Sequence, residues 1–129
     1  MQQKIKTSRG SFAYRSYGKK ENPPLFLVHG WPQSSYCWHA VAQHLVNYYI
    51  IAPDLRGLGD SERTPEVKAY SKDELGRDIF ALAAALNIEQ FYLGGHDWGS
   101  AVVQEMALMQ PERIRKLILI NMMILNNSV

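Results

Sequence analysis

The chain has 129 residues, 47% of them hydrophobic and 20% charged, which fits one globular domain with apolar material for a core and argues against a second domain. Its formal net charge is only +2, and Lys and Arg are scattered apart from Arg113-Ile114-Arg115-Lys116, read as a solvated strand entrance; nucleic acid and anionic membrane are not expected partners. Cys37 is the one cysteine, expected as a small buried hydrophobe, so no internal disulfide is possible. The N-terminal MQQKIKTSRG holds no apolar stretch of signal type, and the apolar run from Leu117 to Leu125 is broken by Asn121 and too short to span a bilayer, which makes the cytoplasm the expected compartment.

In chain order, Ile5 to Tyr17 carries β-favouring residues around Arg9-Gly10 and reads as an opening hairpin at a sheet edge. Leu25-Phe26-Leu27-Val28 follows a Pro-Pro stop as a short buried strand. Ser34 or Ser35 can cap a helix that places Trp38, Val41, Ala42 and Leu45 on one face, and Tyr48 to Ala52 is the next strand, ended by Pro53. Residues 54–70 form a long polar loop. Ser71-Lys72-Asp73-Glu74 has the spacing of a capping box and opens a helix with Leu75, Ile79, Leu82 and Leu86 inward. Gln90 to Leu93 is a strand, Trp98 to Met109 a helix stopped by Pro111, and Arg115 to Ile120 a last apolar strand. The alternation predicts an α/β fold: right-handed crossovers, a mostly parallel sheet and helices on both faces.

Ligands of such sheets bind at the carboxyl ends of the strands. Three glycine-bearing loops fall there: His29-Gly30-Trp31-Pro32, Asp54-Leu55-Arg56-Gly57-Leu58-Gly59-Asp60-Ser61, and Gly94 to Gly99. In the last, Asp97 stands between Gly95 and Gly99. Small residues two positions to either side are what a nucleophile elbow needs, because the central residue occupies a strained turn where flanking side chains would collide. The competing reading of Asp97 is a helix N-cap, whose carboxylate accepts backbone N–H bonds. Trp31 and Trp98 can be core aromatics or the walls of an apolar pocket. His29 and His96 stand beside Asp97 without the spacing of metal ligands, and no metal or other cofactor is expected.

HGWP after one strand, APDLRGLGDS after the next and GGHDWGS after the third together resemble the α/β-hydrolase superfamily, in its epoxide hydrolase and haloalkane dehalogenase branch. The resemblance covers residues 1–129 as the N-terminal part of such a core, without the family's helical cap and last two strands. It implies that Asp97 is a nucleophile, already ionised near neutral pH, which attacks an sp3 carbon and forms an alkyl ester that water then hydrolyses. It also implies an oxyanion hole made by the backbone N–H groups of Trp31 and Trp98, a substrate pocket lined by His29, Trp31, Pro32, His96 and Trp98, and a cis peptide within Gly30-Trp31-Pro32. Asp54, Arg56, Gly57, Gly59 and Ser61 are implied to be structural, the charged pair holding the turn.

Dehalogenases of this branch usually carry Asn after His-Gly, where this chain has Trp31; an aromatic there is the epoxide hydrolase pattern. Small apolar epoxides are therefore the expected substrates. Halogenated alkanes are the alternative, with Asn121 at the position where some dehalogenases place the acid. A non-catalytic binding module on the same scaffold is a third reading, because the family order is nucleophile, acid, histidine, and residues 98–129 contain neither His nor Asp. The last strand, lacking its usual neighbour, is expected to pair with a second copy or with a chain carrying the C-terminal half.

Overall fold

A computed structural model describes residues 2–121. The chain opens with a hairpin, β1 (Gln2–Thr7) and β2 (Gly10–Tyr17), antiparallel and registered Gln2 to Arg15 through Thr7 to Gly10. Then come β3 (Pro24–Val28), α1 (His39–Ala42), β4 (Tyr49–Pro53), α2 (Lys72–Ala85), β5 (Phe91–His96), α3 (Trp98–Met109) and β6 (Ile114–Ile120). The strands form one sheet in the order β1-β2-β4-β3-β5-β6. The hairpin joins β4 in antiparallel fashion, while β3 pairs parallel with β4 and β5, and β5 parallel with β6. The expected α/β class, with a mostly parallel sheet, is what forms, and β1 and β6 are its two edges.

The central strands read as continuous apolar runs because helices cover both of their faces. On one face α2 and α3 pack Leu75, Ile79, Leu82, Val102 and Met106 against Phe26, Ile51, Phe91 and Leu93. On the other, the 3-10 turn Ser35–Trp38 and α1 cover Leu25, Leu27, Ile50 and Ala52. Both clusters are needed, since burying one large apolar side chain contributes only about 1.5–3 kcal/mol.

Three local expectations change. The helix after Ser34 is a 3-10 turn followed by one short α-turn; Ser34 does cap it, accepting from the Tyr36 N–H, but the tighter winding turns Ser35 and Trp38 inward and leaves Val41 exposed. Cys37, on the outer side of that turn, is exposed, not buried. Ser71 does stand at the N-cap of α2, yet no capping bond forms: its hydroxyl donates to the Lys68 carbonyl at 3.3 Å instead.

Candidate active site

The parallel register that sets Val28 against Gly95, and His96 against Ile120, carries the ends of β3, β5 and β6 to one edge of the sheet. Chain leaving β5 turns at once into α3, and the turn is a single residue, Asp97, held at φ 56° and ψ −124°. Backbone in this region is costly for a residue with a Cβ, on the order of 1–3 kcal/mol, and persists only where the surroundings impose it. Here they do. The Asp97 N–H continues the β6 ladder by donating to the Ile120 carbonyl at 3.2 Å, and its carbonyl accepts from the Ser100 N–H at 2.9 Å. The Ser100 hydroxyl ties back to the Gly95 carbonyl at 2.7 Å.

The flanking glycines are required by contact. A Cβ on Gly95 would lie 2.5 Å from the Gly99 carbonyl oxygen, and one on Gly99 would strike the carbonyl oxygens of Val28 and His29. On the facing loop, a Cβ on Gly30 would sit 2.5 Å from the Asp97 Cβ and 2.7 Å from its Oδ2. Gly95 and Gly99 let two backbones approach, and Gly30 lets the loop backbone approach the Asp97 side chain, within a distance that any larger residue forbids.

The Asp97 carboxylate is exposed and makes no capping bond to the helix that it precedes. Its Oδ2 instead accepts from the Trp31 backbone N–H at 3.3 Å. The Trp98 N–H, in the first turn of α3, has no acceptor within its own helix. The Trp31–Pro32 peptide bond is cis.

His29 lies beneath this arrangement, fully buried. Its Nδ1 bonds the Gly30 carbonyl at 2.8 Å and its Nε2 accepts from the Leu55 N–H at 3.0 Å, an arrangement that takes the neutral ring. Burial pushes the imidazole below its ordinary range, against the opposing effects of the Gly30 bond and the Asp54 charge.

A cavity of about 460 Å³ is walled by Trp31, Leu55, Leu58, Tyr70, Leu75 and Trp98, with Arg56 and Arg63 also in its lining. Of the five residues expected to line a pocket, Trp31 and Trp98 do. The other three are not among the residues of this cavity. His29 is consumed by the two loops it joins, Pro32 is exposed, and His96 points to the opposite face of the sheet, edge-on to Trp38 with ring centroids 6.4 Å apart. Among the described residues no cluster of three or more His, Cys, Asp or Glu is placed to hold a metal ion.

A sequence model of the alpha/beta hydrolase fold matches residues 23–129. The chain belongs to the α/β-hydrolase fold family. Its relatives include epoxide hydrolase 4 of Mus musculus, 36% identical over 119 residues that make up 92% of this chain and 33% of that protein. A soluble epoxide hydrolase of a Corynebacterium species is 38% identical over 100 residues, 77% of this chain and 34% of the relative. Among solved structures, an epoxide hydrolase from Vigna radiata superposes with a TM-score of 0.91 at 28% identity, over the whole of this chain and 42% of its own. Epoxide Hydrolase A from Mycobacterium thermoresistibile gives a TM-score of 0.88 at 30% identity, over 92% of this chain and 38% of its own. The chain thus spans about a third of the length of these curated relatives.

Within this α/β-hydrolase core the loop after β4 is held differently from the expected Asp54–Arg56 pair. Asp54, buried, accepts the N–H groups of Ser35 at 2.7 Å and Asp60 at 3.1 Å. Arg56 reaches α2, where its Nε and Nη2 bond the two oxygens of Asp78, each at 2.8 Å; its remaining donors go to Thr64 and the Arg9 carbonyl. That hydrogen bonding to Asp78 raises the Arg56 pKa above its ordinary value, against desolvation. Asp78 escaped the sequence reading although a signal existed: it falls on the inward stripe of α2 with Leu75 and Leu82, where a carboxylate needs a cation.

Proposed function

We propose that this chain carries the nucleophilic half of an epoxide hydrolase-type site. The Asp97 carboxylate oxygen attacks a ring carbon of a small apolar epoxide; the C–O bond of the ring breaks and an alkyl ester of Asp97 forms, while the ring oxygen leaves as an alkoxide and takes up a proton. Water then attacks the ester carbonyl and gives a proton to solvent; the N–H groups of Trp31 and Trp98 receive the oxyanion, whose collapse breaks the acyl C–O bond, releases the diol and restores the Asp97 carboxylate. The observation that carries this reading is the placement of Asp97: held at positive φ, free of any capping duty, with the Trp31 N–H on its carboxylate. The curated relatives named epoxide hydrolases support it. The histidine that the family resemblance assigns to the hydrolysis step has no counterpart in residues 98–129, which hold neither His nor Asp. The ester on this 129-residue chain is therefore expected to persist.

The test is intact-protein mass after incubation with styrene oxide and, separately, 1-bromobutane, with Asp97→Asn as control. A stable gain of one whole epoxide in the wild type, absent from the control, supports the reading. A gain of the butyl group alone assigns the site to carbon–halogen bonds, and neither adduct nor diol leaves a non-catalytic binding scaffold.

We also propose that β6 pairs with another chain. It is a sheet edge, and its Leu117, Ile118 and Ile120 are exposed. A reducing compartment such as the cytoplasm suits a chain whose one cysteine is exposed. No helix among the described residues is long and apolar enough to cross a membrane.

A further inference from the structure

We propose that Gln33 is a positioning residue: its side chain locks Gly30, and through Gly30 it keeps the Trp31 N–H aimed at the Asp97 carboxylate. The proposal rests on the reading of Asp97 as a nucleophile whose ester is hydrolysed, and it assigns the residue that holds one of the two hydrolysis donors in place.

The constraint begins at Gly30. A Cβ there would lie 2.5 Å from the Asp97 Cβ, so the loop facing the carboxylate has room for glycine alone at this position. Glycine also has the widest backbone freedom of any residue, and a loop built on it does not by itself hold a neighbouring N–H in one direction. Gln33 supplies what glycine lacks. Its Oε1 accepts from the Gly30 N–H at 3.0 Å, and its own N–H donates to the Gly30 carbonyl at 2.9 Å. The two bonds fix the peptide groups on both sides of the Gly30 Cα, in the reciprocal manner of a capping box. His29 adds a second donor to the same carbonyl, through Nδ1 at 2.8 Å.

The next peptide group inherits this constraint. The Gly30–Trp31 peptide is trans, and a planar trans amide points its N–H away from its carbonyl. With that carbonyl held by Gln33 and His29, the Trp31 N–H has one direction left, and along it lies the Asp97 Oδ2 at 3.3 Å. Hydrogen bonds accepted by the carbonyl also polarise the amide and make its N–H a stronger donor. Gly30 is buried, so loss of the Gln33 oxygen leaves its N–H without an acceptor where water does not replace it, a cost that the loop relieves by turning. That turn carries the Trp31 N–H off the carboxylate.

The experiment separates the two half-reactions by intact mass. Asp97 is esterified with 1,2-epoxypropane, excess epoxide is removed, and loss of the ester to hydroxide is followed. Gln33→Leu, close in volume but without an acceptor, is expected to lower the ratio of the ester-loss rate to the alkylation rate about tenfold, part of the roughly 10²–10³ that a whole oxyanion donor carries. A rate loss shared equally by both half-reactions, or no change in the ratio, overturns the proposal. If the wild type forms no adduct, the nucleophile reading fails by itself, and the Trp31 amide carries the test. Asp97→Asn is expected to shift its proton resonance in the wild-type background, and to shift it about half as much or less in Gln33→Leu. Equal shifts in the two backgrounds, or none in the wild type, overturn the proposal. Should Gln33→Leu fail to fold, hydrogen exchange of the wild type decides: a protected Gly30 amide supports the lock, and exchange at the rate of an unbonded amide overturns it.

Discussion

The two oxygens of Asp78 on α2 close on the Nε and Nη2 of Arg56 at 2.8 Å each, both side chains almost fully buried. Arg9 from the opening hairpin adds a third bond to the same carboxylate at 2.7 Å. One acidic residue thus ties together the hairpin, the loop that walls the cavity and the helix beneath it. Removing it leaves a buried guanidinium without its counter-charge. Asp78→Ala is expected to lower stability by about 3–5 kcal/mol, read from urea denaturation. Glu74→Ala, which takes away the more exposed partner of Arg9, should cost under about 1 kcal/mol.

The glycines of β5 and α3 differ in what a methyl group would meet. Gly95→Ala and Gly99→Ala drive a Cβ into backbone, which cannot step aside, and each should destabilise the chain by about 1–3 kcal/mol or more. At Gly94 the nearest atom is the Leu27 Cδ2 at 3.0 Å, the end of a side chain that can rotate. Gly94→Ala should therefore cost less than either, and equal losses for all three in denaturant titrations would contradict this account.

Asp97 sets function against stability. Its φ of 56° suits glycine, so Asp97→Gly should raise stability by about 1 kcal/mol, seen as a higher thermal midpoint, while abolishing any covalent adduct. Asp97→Asn removes the adduct but retains a Cβ at the same φ, and its midpoint should stay close to the wild type.

His29 gives the fold a pH dependence of known sign. Its imidazole is held neutral below the ordinary value of 6.5, chiefly by burial. As pH falls through 6.5 the unfolded chain binds a proton that the folded chain refuses, so stability is complete above that pH and declines below it. The thermal midpoint should drop between pH 7 and pH 5, and the drop should be smaller in His29→Asn, whose starting stability is already reduced by the two lost loop bonds.

The exposed face of β6 makes assembly testable. Ile118 is 47% exposed, and Ile118→Lys places a charge in the middle of the edge strand. Sedimentation of the wild type should show a species larger than the monomer at high concentration, and the variant should shift it toward the monomer.

The sequence carried most of this site's geometry because its signals are local. A carboxylate between Gly95 and Gly99 at a strand-to-helix boundary already states that the backbone must turn there at close quarters. The edge position of β6 was legible only through the family resemblance, since alternating strands and helices predict a parallel sheet but not the order of its strands. The pocket was not legible, because it forms only when Leu58 and Tyr70 of the loop between β4 and α2 fold back over Leu75 and the two tryptophans. His29 and His96, expected to line a pocket, are not among the residues of this cavity. What separates them is the side of the sheet each ring faces and the loop bonds His29 makes, which spacing along the chain does not reveal. The short turn at Ser35–Trp38 was misjudged for a related reason: apolar spacing suited a helix, and the observed 3-10 winding kept Trp38 inside but turned Val41 out.

The contact of Gly99 with the Val28 carbonyl and that of Gly30 with the Asp97 side chain act as two teeth of one gear. With both engaged, the loop after β3 and the turn before α3 are packed against each other at two places, which sets the 3.3 Å gap between the Trp31 nitrogen and the carboxylate. Exchange at Leu58 or Tyr70 reshapes the cavity wall alone, whereas a change at any of the interlocking glycines displaces the Asp97 carboxylate.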